Sequence, residues 1–136
     1  MYKVTIPMRL PSFNEFIDAY KTHYGKWYKG NQLKQDAQEE VMLYLKKLPK
    51  IEKPVRIKFI WVSTKDDRRD PDNIDAGGRK IILDALQKAG KLKNDSRKYV
   101  SGGFTAEFEI GARYEVRLEI EEMKAFELKE NIDEKS

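Results

Sequence analysis

The sequence predicts an α+β fold in a single domain, a mixed or antiparallel sheet packed with about three helices. Three observations lead there. VRIKFIWVS, residues 55–63, puts Val55, Ile57, Phe59 and Trp61 on one face of a strand, and adds Ile60 and Val62 on the other. Residues 32–48 and 81–89 carry apolar side chains at spacings of three and four, the period of a half-buried helix. Two late segments, 99–110 and 114–123, alternate apolar and polar residues around Gly111-Ala112.

Taken in order, Tyr2 to Ile6 is short, β-rich and stopped by Pro7, a first strand. Ser12 with Glu15 three residues on has the capping-box spacing, so a helix starts there with Phe13, Phe16, Ile17 and Tyr20 on one side. Residues 23–34 interleave Tyr24, Trp27 and Tyr28 with Lys26 and Lys29. These suit base stacking and phosphate contact, or a loop whose rings fold back onto the core. The helix over 32–48 holds Leu33, Ala37, Val41, Tyr44 and Leu48 on one stripe and ends before Pro49. Strand 55–63 is the central-strand candidate. The next helix spans Ile81 to Ala89, with Ile82, Ala85, Leu86 and Ala89 inward. Gly77-Gly78 delays its start or lets the backbone approach a neighbour, and Gly90 stops it. The two late segments make an antiparallel hairpin. The domain covers 1–123. Residues 124–136 are a polar tail, as a short helix or a frayed end.

The chain has 136 residues, 40% hydrophobic and 37% charged, with a net charge of +4. Residues 1–100 hold 22 Lys+Arg against 13 Asp+Glu, whereas 101–136 hold 5 against 10. The positive part suits a polyanionic partner, or is an ordinary solvated surface. The absence of cysteine excludes disulfides and thiolate metal sites, and one histidine leaves little for zinc. No window approaches the ~20 apolar residues of a membrane span. A cytoplasmic protein without membrane contact is expected.

The stretch 68–95, RRDPDNIDAGGRKIILDALQKAGKLKND, concentrates the chemistry. Asp70, Asp72 and Asp75 crowd one turn, and Asp95 follows a helix later. Close carboxylates repel unless a cation sits among them, and Mg²⁺ takes oxygen ligands beside phosphate. If the turn is extended, Asp70 and Asp72 point the same way, with Pro71 stiffening it. Lys80 and Asp84 share a helix face. DPDN is also ordinary turn chemistry.

DRRDPDNI, RKIILDAL and AGKLKNDS, in that order, resemble the RusA family of Holliday junction resolvases. The opening IPMRLPSFNEF is similar to that family's N-terminal segment. The likeness covers most of 4–98; beyond that only strand character is shared. The resemblance implies a RusA-like fold and homodimer. It implies that Asp70, Asp72 and Asp95 bind Mg²⁺ (or Mn²⁺), and that Lys80 is the essential lysine. All four would then be catalytic. The segment between Asp72 and Lys80 is longer than in familiar members, which makes Arg79 a rival. Asn94-Asp95 stands where an Asp-Asp pair is common.

The expected function is Mg²⁺-dependent, structure-selective cleavage of DNA phosphodiesters, resolving four-way junctions in recombination and repair. Arg68, Arg69, Arg79, Lys91, Lys93, Arg97 and Lys98 would contact the DNA backbone. The alternatives are a related nuclease acting on flaps or forks, and a non-catalytic nucleic-acid-binding module.

Overall fold

In a computed structural model of the chain, residues 1–21, 28–94 and 98–123 are described. The order is β1 (Tyr2–Ile6), α1 (Phe13–Lys21), α2 (Tyr28–Leu45), β2 (Val55–Ser63), α3 (Pro71–Lys88), β3 (Gly103–Ile110) and β4 (Glu115–Glu122). The fold is α+β, with three helices and one four-stranded mixed sheet in the order β1-β4-β2-β3.

The strand with apolar side chains on both faces takes an inner place. β2 is flanked by β3, parallel, and β4, antiparallel. Val55, Ile57, Phe59 and Trp61 face the helices with Leu118 and Ile120 of β4. Val41 and Leu45 of α2 and Ile81, Ile82, Ala85 and Leu86 of α3 close over them. On the opposite face Ile60 is still only 5% exposed. In register it lies between Arg117 and Glu107, whose long stems cover it. Lys58–Glu107 (2.9 Å) and Arg56–Glu121 (3.6 Å) are among the ion pairs across this wet face. Glu107, whose carboxylate accepts from Lys58, leads the causes that raise the lysine's pKa.

The expected hairpin of the last two strands does not form. β3 and β4 both border β2 and never pair with each other. A parallel neighbour needs a long crossover, and α3 supplies it, so β3 docks beside β2 rather than waiting for β4. The chain then crosses the end of β2 to reach its other side. Gly111 makes that passage: its N–H donates to Ser63 O (2.9 Å), and a Cβ there would lie 2.7 Å from Val62 Cγ1.

α3 is longer than expected. It starts at Pro71 rather than near Ile81, so Gly77-Gly78 sits inside the helix and does not delay it. Asp70 is the N-cap and Pro71 supplies a ready-made helical φ at N1. The glycines serve close approach. A Cβ on Gly77 would lie 2.6 Å from backbone atoms of Pro11, Ser12 and Phe13, and one on Gly78 would lie 2.5 Å from the Trp61 ring. The far end closes as a Schellman motif. Gly90 at φ +72° donates to Gln87 O (3.0 Å), and Lys91 N–H donates to Leu86 O (2.9 Å).

α1 has the expected capping box, with Ser12 Oγ accepting from Glu15 N–H (3.4 Å) and Glu15 accepting from Ser12 N–H (3.3 Å). α2 runs from Tyr28 to Leu45, shifted toward the N-terminus of the expected span. Tyr24, Lys26 and Trp27 of the aromatic–basic segment, and the tail 124–136, lie outside the described residues. β3 is an edge strand, and its expected inward stripe is only half covered: Phe108 is 45% and Ile110 78% exposed. No helix among the described residues is long and apolar enough to cross a membrane.

Candidate metal and nucleic-acid site

The turn from β2 into α3 is held by internal ion pairs. Arg69 donates to both oxygens of Asp67, through Nε (3.0 and 3.1 Å) and Nη2 (2.8 Å). Its Nη1 reaches Leu10 O (2.8 Å) and Glu15 (3.4 Å), tying the turn to the segment that opens α1. The Arg69 hydrogen bonds hold the Asp67 carboxyl down at about 2. Arg9 adds two hydrogen bonds to Glu15, at 3.0 and 2.9 Å. Burial alone would raise the pKa of Glu15, but Arg9 and Ser12 outweigh it and the pKa is lowered. The Arg9 and Arg69 guanidiniums lie 5.6 and 5.7 Å from the Tyr114 ring. Arg69 is therefore a clamp inside the protein.

Asp70 and Asp72 stand on this braced turn, at the C-terminal edge of the sheet. Asp70 has extended backbone (φ −69°, ψ 136°), yet its side chain makes no capping hydrogen bond. Both residues are exposed. Among the described residues neither carboxylate has a hydrogen bond or ion pair. Asp72 lies in the first turn of α3, so the pair does not share one side of an extended segment as the two-residue spacing suggested. The turn also borders a cavity of about 280 Å³, walled by Trp61, Ile74, Phe108 and Ile110 and by the polar Thr64 and Lys65.

Asp75 is spent elsewhere. It accepts from Trp61 Nε1–H (2.9 Å) and from Arg79 Nη2 (2.6 Å). The Arg79 guanidinium lies 5.2 Å from both the Phe59 and Phe104 ring centroids. It is thus pinned over aromatic rings, while Lys80 is open, with a 60% exposed side chain. Lys80 pairs with Asp84 at 3.4 Å, beside Lys34 at 2.9 Å from the same carboxylate. That pairing carries its ammonium toward the C-terminal end of α3, away from Asp70 and Asp72.

Asp95 and Arg97 lie outside the described residues. Their neighbours are described. Leu92 N–H donates to Leu86 O (3.2 Å), and Tyr99 O accepts from Val55 N–H (2.9 Å). Both anchors belong to the end of the molecule where α3 finishes and β2 begins. Asp70 and Asp72 belong to the other end, about 27 Å away along an 18-residue helix. Among the described residues no three acidic or histidine side chains are grouped to hold a metal ion.

Of the other expected DNA contacts, Arg68 is exposed beside the aspartates. Lys93 and Lys98 flank the Tyr99 ring, at 6.0 and 5.6 Å, on the far end. Lys91 donates to Lys46 O (3.4 Å) there, in an exposed contact. Asp67 and Tyr114, which help brace the turn, were not singled out by the sequence. The capping-box spacing flagged only Glu15, and for another role. No family model matches the chain, and no curated protein matches it.

Proposed function

We propose that the chain is a Mg²⁺-dependent endodeoxyribonuclease that cuts branched DNA, four-way junctions first among its substrates. One observation carries the reading: two exposed carboxylates, Asp70 and Asp72, have no partner among the described residues and stand on a turn braced by the Arg69–Asp67–Glu15 clamp. Mg²⁺ is ordinarily held by one or two carboxylates, with water and substrate phosphate completing its shell, so the pair fits its protein share. When bound there, the ion supplies Lewis-acid polarisation of the phosphate and a more acidic water.

The chain's own residues do the rest. The Arg69–Asp67–Glu15 clamp fixes the turn, so that the carboxylates are presented without reorganisation. Arg68 contacts a neighbouring phosphate. Lys80, 60% exposed although it pairs with Asp84, is more open to DNA than Arg79, which is held by Asp75 over aromatic rings. The resemblance of DRRDPDNI and RKIILDAL to junction resolvases supports the substrate class. A junction is nearly two-fold symmetric, which suits a C₂ homodimer. The open edge of β3, with Phe108 and Ile110 exposed, offers a place for a second copy.

A second reading is a non-catalytic nucleic-acid-binding module. The helix start favours it, since acids at N-cap and N2 complement the helix dipole with no metal present. Labelled junction, flap and duplex, each with Mg²⁺ or EDTA, separate the readings. Paired symmetric nicks in the junction support resolution, and cutting of flaps alone supports a related nuclease. Binding without cutting in any divalent metal supports the module. Asp95→Asn reports whether the third acid belongs to the site.

A further inference from the structure

We infer that the groove between α1, α2 and α3 is a pocket for one unstacked nucleotide of a DNA strand, a subsite apart from the aspartate turn. It has a volume of about 370 Å³, within the range of small-ligand sites. Phe13 and Phe16 from α1 form one wall, and Ala76 and Gly77 of α3 form a floor with almost no side chain. Lys34 of α2 and Lys80 of α3 stand at its margin.

The chemistry selects the occupant. A purely apolar ligand would leave the lysines idle, and a bare phosphate would leave the rings unused. Phe13 is half exposed, at 50%, so its ring is open to a stacking partner. Both lysines lean on a single carboxylate, Asp84, so the pair keeps a surplus positive charge. A nucleotide satisfies both halves: its base stacks on phenylalanine and its phosphate takes a lysine, the mode by which single strands bind without sequence preference. Branched DNA supplies such nucleotides where pairing is interrupted. The inference rests on the DNA-directed reading above, but not on the metal.

The test uses the full-length protein in EDTA, labelled for NMR, with a 5′-phosphorylated thymidine trinucleotide and the same strand abasic at its centre. Amide shifts should centre on Phe16, Ala76 and Gly77 for the first strand, and the abasic strand should bind about tenfold more weakly. Phe16→Leu should lose about the same factor. Lys34→Gln, at a side chain 32% exposed, should weaken binding several-fold and reduce the salt slope by about one, with the amide spectrum away from the groove unchanged to show that the fold is kept. Equal binding of the abasic strand, shifts confined to other surfaces, or indifference to Lys34→Gln would overturn the inference. So would groove shifts that appear on concentrating the protein alone, since a second copy would then be the occupant. Junction nicking in Mg²⁺ by the same preparation is read separately. Nicking with an indifferent groove sinks this inference only, and groove shifts without nicking sink the nuclease only.

Discussion

Gly77→Ala is expected to destabilise the protein, although Ala is the better helix former. In an open helix the change would gain about 1 kcal/mol. Here the new methyl would meet Pro11 O, Ser12 C and Phe13 N, all at 2.6 Å. These are backbone atoms at the head of α1, braced by the capping box and by Arg69 on Leu10 O, so they cannot turn aside as a side chain would. Overpacking of this kind costs about 1–3 kcal/mol, and rigid backbone puts it toward the upper end. The net loss is then about 1–2 kcal/mol, or roughly 4–8 °C in Tm for a chain of this size. Urea titration of wild type and variant measures it, with an unchanged m-value showing that only stability moved. A Tm equal to or above wild type would refute the close packing of α3 on the N-terminal segment.

Other consequences follow from the same contacts. Gly78→Ala should also destabilise and should change the near-UV circular dichroism, because its methyl would press on Trp61, which is stacked on Phe59 and bonded to Asp75. Asp67 has a folded pKa lowered from 3.8 to about 2, so its contribution is complete above pH 4 and is lost as pH falls toward 2. That loss is roughly 2 kcal/mol, and Asp67→Asn should flatten the corresponding stretch of a stability–pH curve. Ser12→Ala should cost about 1 kcal/mol in chemical denaturation through the lost N-cap. Ile110→Glu, at a 78% exposed position, should leave Tm nearly unchanged while shifting sedimentation toward monomer if β3 receives a second copy.

Local pattern was legible in the sequence, and pairing was not. The ends of β2 and the capping box at Ser12 could be read because alternation and spacing encode them directly. The start of α3 could not, because Gly77 and Gly78 resemble helix breakers until their neighbours at Pro11–Phe13 and Trp61 are known. Gly111 looked like a hairpin turn, since nothing local tells a tight turn from a passage over β2. The aspartates stood out by crowding, whereas the clamp beneath them joins Leu10, Glu15, Asp67, Arg69 and Tyr114 across the chain. Such a network has no local signature. Lys80 was paired with Asp84 from spacing alone, and that pair is present; its direction away from Asp72 needed the helix to begin at Pro71.

The most direct trial of the account is the single-turnover cleavage of a labelled four-way junction by wild type and Asp72→Asn in saturating Mg²⁺, alongside junction affinity in EDTA. The variant is expected to bind as wild type does but to leave the junction uncut. A variant that cuts at the wild-type rate would contradict it and leave the two carboxylates as no more than the start of a helix.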